Sequence, residues 1–400
     1  MTLLTSSTYL EGEARAANVK SYRYSAPPDT GDGWQTASLT SEHLDPALIN
    51  ALFERVLDNT YKNIHSVLLV KNGKLVVEEY FPGTDDEGKF QVYNRDKLHD
   101  VASVTKSVTS ILIGIALDQH ILTNVDQKMS ALLPQYSDIF ANSDKDRICL
   151  KHFLSMTAGL AWDESSYPYF RYLNDHMDMN VAPDPIRYVL EKQVVAVPGT
   201  TFDYNSGLSL ALGQVILNVS GMPADKFAER HLFDPLGIPR YFWFKYPNGA
   251  VQAGGGLHIT PRDMAKIGYL YLNGGRWHGR QIVSEAWITA STTQHAPGEG
   301  YDRIGTMWWL EKIGLPVTGG WPHQYGYQWW LGSFRLGDRV VKCFSARGRA
   351  GQFIFVFPEL NLVAVFTGWN EFSLMNQPFD MLERYILPAA SAPHTKEIGR

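Results

Sequence analysis

The chain has 400 residues, 44% of them hydrophobic and 19% charged, a balance that supports two packed domains or one domain with a large insertion, and excludes a disordered chain. The formal net charge of −5 gives no broad basic face, so nucleic acid is not expected as a partner. Cys149 and Cys343 are the only cysteines; they cannot make a disulfide framework, no Cys/His cluster suggests zinc, and both read as buried small apolar residues.

Residues 1–45 are polar, with Pro27-Pro28 and Gly31-Asp32-Gly33, and read as an extended N-terminal arm. The opening MTLLTSSTYL has no apolar run of signal-peptide length, and nothing downstream approaches the ~18 apolar residues of a membrane span. The chain as written is expected to be cytoplasmic, or periplasmic or secreted if an export signal has been removed. His65–Val70 and Leu75–Tyr80 are β-rich runs joined through Asn72-Gly73, a pair suited to a type I′ hairpin turn.

Residues 103–118 (SVTKSVTSILIGIALD) open with hydroxyl residues and become apolar nearly all round, which predicts a buried central helix. Helical stretches punctuated by Pro and Gly fill residues 126–250. Thr260-Pro261-Arg262-Asp263 has the form of a helix start, with a Thr cap, Pro at the first helical position and an acid in the first turn. Three closely spaced strand-like runs, at 340–344, 353–357 and 362–366, predict an antiparallel meander. Strands at both ends with helices between imply a mixed α/β (α+β) fold: a discontinuous sheet domain over 46–125 and 251–400, flanked by helices, with an all-α domain inserted at 126–250.

Three elements are candidates for chemistry. Ser103 is the only serine followed by lysine three residues on. Positions i and i+3 share a helix face, so Lys106 is placed to take the Ser103 proton. Lysine does this only if burial and the positive helix end bring its pKa down from ~10.4 toward neutrality. Alone, the pattern equally fits an ordinary helix start. The second element, Phe202–Gly207, contains Tyr204, a candidate proton relay, and Ser206, a candidate hydrogen-bond donor; a polar turn before a helix is the plainer reading. The third, Ala346–Gln352, lies between two strands. Its small residues, Gly348 among them, let a strand edge approach a substrate and offer a backbone N–H to an oxyanion; a simple bulge or hairpin also accounts for it.

Ser103-x-x-Lys106, then Tyr204, then Gly348, in this order, resemble the serine β-lactamase and penicillin-binding-protein superfamily, most of all class C β-lactamases, related esterases and 6-aminohexanoate-dimer hydrolases. Lys151–Leu160 and Gly254–Leu257 add to the likeness, which covers roughly residues 50–370. The resemblance implies a β-lactamase-like fold and an acyl-enzyme mechanism without metal or organic cofactor. In it Ser103, Lys106, Tyr204 and Ser206 take catalytic places, and the N–H groups of Ser103 and Arg349 form the oxyanion hole.

Two departures matter. Ser206 stands where class C enzymes carry Asn, and Ala346-Arg347-Gly348 stands where they carry Lys-Thr-Gly. Without that lysine, esters or linear amides are expected over β-lactams, with Arg347 or Arg349 left to supply positive charge. A β-lactamase, a D-amino-acid peptidase and a non-catalytic binding protein on the same fold are the alternatives. The partner expected is a small-molecule ester or amide; the oligomeric state stays open. Trp162–Pro185 is expected to border the cleft and set specificity.

Overall fold

A computed structural model describes residues 22–141, 143–164, 174–296, 324–370 and 372–391. The organising element is an eight-stranded sheet. Its strands are β1 (Gln35–Thr36), β2 (Ile64–Lys71), β3 (Lys74–Tyr80), β7 (Gln324–Tyr325), β8 (Trp330–Leu336), β9 (Arg339–Gly348), β10 (Gln352–Phe357) and β11 (Leu362–Gly368). The spatial order is β1-β3-β2-β11-β10-β9-β8-β7. The N-terminal hairpin thus docks on the C-terminal meander, through antiparallel pairing of β2 with β11 in which Val365 faces Leu68. The two ends of the chain complete one sheet. A smaller sheet joins β4 (His99–Asp100), β5 (Phe242–Trp243) and β6 (Leu257–Ile259) in the order β4-β6-β5.

Local chemistry accounts for these elements. Asn72 (φ 51) and Gly73 (φ 79) both adopt the left-handed conformation of a type I′ turn, which suits a two-residue hairpin. The central strands alternate between two cores: Ile354 and Val356 of β10 face one, Phe353, Phe355 and Phe357 the other. The period of two in side-chain direction makes one strand serve both layers. The second core is closed by α1 (Pro46–Leu57) and the C-terminal helical segment through Leu387.

Against the first core lie α2 (Val104–Asp118) and α7 (Pro261–Leu272). Every residue of α2 from Val104 to Ala116 is buried. A helix so covered needs neighbours all round, and its outer side is packed by α3 (Leu150–Leu154) and α6 (Ser206–Ser220) of the helical region, with α4 (Asp175–Val181) and α5 (Pro185–Glu191) beyond. Thr260 caps α7, its side chain accepting from Asp263 N–H.

The structure departs from expectation in two places. The arm is less detached than its polarity implied: β1 pairs in parallel with β3, and Trp34 is buried edge-on against Trp277. Cys343 is buried, but Cys149 is only half-buried, because it sits at the exposed start of α3. Among the described residues no single helix is long and apolar enough to cross a membrane.

Gln328 ties the helical region to the sheet. Its side chain is 1% exposed. It donates to the carbonyls of Phe153 (3.1 Å) and Leu154 (3.0 Å) and accepts from Ser209 Oγ (2.6 Å), while its own carbonyl accepts from Ser107 Oγ at 2.6 Å. Replacing it with methionine, similar in shape, leaves those side-chain partners unmatched. Gln328→Met is expected to lower unfolding stability by about 2–4 kcal/mol. Urea denaturation checks this; a midpoint equal to wild type refutes the tie.

Candidate active site

The site forms where α2 begins. The chain leaves β4 at Asp100, turns through Ala102 and enters the helix at Ser103. Ala102 has φ 46, a left-handed conformation that costs an alanine roughly 1 kcal/mol. It is held there by Asp100, whose Oδ1 accepts from Ala102 N–H at 2.8 Å. Ser103 is the N-cap of α2 and its side chain makes no cap hydrogen bond, so the hydroxyl is available for chemistry.

One turn on, Lys106 is 1% exposed. Its Nζ lies 2.9 Å from Ser103 Oγ and donates to the Gly254 carbonyl at 2.7 Å. Burial pulls its pKa down to about 8, against the opposing pull of the Glu164 carboxylate. Tyr204 lies just before α6. Its ring is 4.9 Å from Lys106 Nζ and stacks on Trp330 at 5.7 Å. Its phenol is hydrogen-bonded with the Ser103 side chain; burial first, and Glu164 second, push its pKa well above the ordinary tyrosine value. Two of the expected residues, Lys106 and Tyr204, therefore converge on the hydroxyl of a third, Ser103.

Ser206, the first residue of α6, is also at the site, but its Oγ donates to Glu164 Oε1 at 2.8 Å. Gly348 ends β9 against the turn before Ser103. A Cβ at this position would come 2.4 Å from the Val101 carbonyl and 3.2 Å from Ala102 Cβ, so glycine is what lets the strand end lie beside the turn that leads into Ser103. Arg349 follows, exposed, with its guanidinium 5.9 Å from the Trp369 ring.

Ser103, Ser206 and Arg349 open on a cavity of about 340 Å³ whose walls also include Asp100 and Gln252. Asn180 of α4 lines it too, its Oδ1 accepting from Tyr246 Oη at 2.5 Å, so part of Trp162–Pro185 borders the cleft; residues 165–173 of that stretch lie outside the described residues. Arg349 lines the cavity, whereas the Arg347 guanidinium packs 5.5 Å from the Trp330 ring and 5.1 Å from that of Phe379. Ala346, in the place of the third-motif lysine, has no exposure. Among the described residues no three His, Cys, Asp or Glu side chains come together in a way that could hold a metal ion.

Sequence reasoning missed Glu164, and it took Gly254 only as part of a glycine run in the family likeness, not as an acceptor for Lys106. Glu164 falls inside the cleft-bordering stretch, which was its only signal. Gly254 contributes a backbone carbonyl, and main-chain acceptors have no signature in residue type.

Comparison with known proteins agrees with this fold. The β-lactamase family model matches residues 65–374. Protein Flp of Staphylococcus aureus (strain MW2) is 25% identical over 200 residues, which are 50% of this chain and 38% of that protein, so the chain spans well under half the length of this curated relative. Among solved structures, a Bacillus anthracis protein provisionally assigned as a 6-aminohexanoate-dimer hydrolase superposes with a TM-score of 0.64 at 22% identity, over 84% of this chain and 81% of that one. A family VIII carboxylesterase superposes with a TM-score of 0.64 at 16% identity, over 86% and 98% of the two chains. At such identities the solved structures speak for the fold alone. The family model runs from the first core strand past the last one, and on that match the chain belongs to the β-lactamase family.

Proposed function

We propose that the protein is a serine hydrolase that cleaves an ester or linear amide through an acyl-enzyme on Ser103. The observation that carries this reading is the buried Lys106 amine, 2.9 Å from Ser103 Oγ. A serine hydroxyl needs an adjacent base. An amine with a pKa of about 8 is neutral in a useful fraction of molecules near neutral pH. One N–H remains on the Gly254 carbonyl, which aims the lone pair at the hydroxyl.

In the first step Ser103 Oγ attacks the substrate carbonyl carbon and its proton passes to Lys106 Nζ. The oxygen that becomes negative is held by the Ser103 N–H, one of the donors a helix start leaves unpaired, and by the Arg349 N–H. The carbon–oxygen or carbon–nitrogen bond then breaks, and the departing group takes a proton relayed through Tyr204, whose raised pKa keeps it a phenol and thus a donor. Water next attacks the acyl carbon, and Ser103 recovers its proton. Ser206 is occupied by Glu164, which leaves Tyr204 as the hydroxyl nearest the reacting atoms.

Ser103→Ala is expected to fold normally and lose turnover by several orders of magnitude, together with labelling by a fluorophosphonate. Near-wild-type hydrolysis by this variant refutes the assignment.

For the base, kcat/KM is expected to rise with pH through about 8, since deprotonation of Lys106 creates the active form. Lys106→Arg should be nearly as inactive as Lys106→Ala, because guanidinium keeps its proton. Were Lys106 only a structural cation, Lys106→Arg would retain much of the activity and the acid limb together.

For the substrate class, Ala346 in place of the lysine removes a buried cation from the position that seats a β-lactam carboxylate in the class C enzymes this chain resembles. A higher kcat/KM for p-nitrophenyl butyrate than for nitrocefin is expected, and the reverse order overturns the preference for esters.

A further inference from the structure

Glu164 belongs to none of the three motifs, and it is 3% exposed. Three donors converge on its carboxylate: Ser206 N–H at 2.7 Å and Trp162 Nε1–H at 2.7 Å reach Oε2, and Ser206 Oγ reaches Oε1 at 2.8 Å. Its backbone carbonyl accepts from Asn174 Nδ2 at 3.0 Å. A bare buried carboxylate is costly, and three donors together with the positive end of the fifteen-residue helix α6 are what hold one as an anion. The carboxylate thereby fastens the segment carrying Trp162 to the first turn of α6, two residues beyond Tyr204.

We propose that Glu164 is a positioning residue: its carboxylate clamps the start of α6, fixing Tyr204 and Ser206 relative to Ser103, and so places a negative charge beside the reacting set. This rests on the reading of Ser103, Lys106 and Tyr204 as the reacting set. The ionisable groups facing this anion are Lys106 of α2, Tyr204 and Asp203 from the segment before α6, and His176 of α4. Asp163 and Asp175 add to the negative potential at Asp203, whose carboxyl burial pushes up to about 7, and Arg349 adds positive potential at His176.

The sign follows from these neighbours. An anion near Lys106 stabilises the ammonium and raises its pKa, opposing burial. Near Tyr204 it disfavours phenolate. Glu164 thus moves upward the pH at which the amine becomes a base and adds to burial in keeping the phenol protonated.

Glu164→Gln separates charge from contact. The glutamine oxygen can accept both N–H groups, and its NH₂ can donate to Ser206 Oγ, which turns from donor to acceptor. Shape and hydrogen bonds persist while the charge is lost. The acid limb of kcat/KM is expected to move down by about one pH unit in this variant. Glu164→Asp keeps the charge but is too short to reach both Ser206 donors; its acid limb is expected to stay at the wild-type position while kcat falls about tenfold or more. An unmoved limb in Glu164→Gln overturns the influence of the charge, and full kcat in Glu164→Asp overturns the clamp. Either result leaves the nucleophile assignment intact so long as activity still requires Ser103, and hydrolysis that survives Ser103→Ala breaks that underlying reading instead.

Discussion

A lysine amine removed from water, with a serine hydroxyl and one main-chain carbonyl for company, is the constraint from which most of this architecture follows. An unpaired buried ammonium is prohibitively costly. Lys106 persists inside because Gly254 O and Ser103 Oγ lie at hydrogen-bond distance, and because burial brings its pKa to about 8. That degree of burial requires α2 to be covered on every side. The sheet covers one side and the helical region the other, so the boundary between the two layers coincides with the base. Ser107, Thr109 and Ser209 look out of place in such an apolar setting. Each hydroxyl is spent on the joint between layers: Ser107 and Ser209 on Gln328, Thr109 on the Ala253 carbonyl.

Ser103, the proposed nucleophile, is placed by backbone conformation more than by side-chain packing. Ala102 in a left-handed conformation turns the chain sharply from β4 into α2, and Ala350, with φ 66, does the same after β9. Each costs roughly 1 kcal/mol for a residue with a Cβ. Strain of this kind survives where the surroundings over-determine it. Here Asp100 holds Ala102 N–H, Asn370 N–H holds the Ala350 carbonyl at 2.9 Å, and Gly348 lets the two turns touch. The two N–H groups proposed to hold the oxyanion, those of Ser103 and Arg349, each adjoin one of these left-handed alanines. Rigid placement of donors before reaction is the principal means by which such sites favour a developing charge.

Much of this was legible in the sequence because it is written in periodicity and turn chemistry. The run from Ser103 to Asp118 announced a covered helix, Asn72-Gly73 a type I′ hairpin, Thr260 a cap, and the last three β-rich runs a meander. What remained hidden is polar and tertiary. Glu164 is held by Ser206, and Gln328 by Phe153, Leu154 and Ser209, all far away in sequence, and no spacing rule marks a glutamate whose solvent is replaced by Ser206 and Trp162. The carbonyl of Gly254 belongs to no residue type at all. Trp34 sits in a segment whose composition is that of an exposed arm, yet its ring meets Trp277 and Tyr269; one aromatic residue amid polar neighbours gives no local pattern.

The loss of the third-motif lysine and the presence of the buried Glu164 act together on the charge around Ser103. A lysine at position 346 would set a second ammonium into the core next to α2, where like charge would lower the Lys106 pKa further. Ala346 removes that cation, and Glu164 adds an anion on the opposite flank. Both changes favour the protonated form of Lys106, so burial has to do the whole task of depressing its pKa, and the near-complete enclosure of α2 supplies it. The cation that remains toward the substrate is Arg349, exposed at the cavity wall. Solvent screens it more than it would a buried lysine. Besides Arg349, the cavity wall offers the polar side chains of Asn180 and Gln252 and the aromatic rings of Phe244, Tyr246 and Trp369.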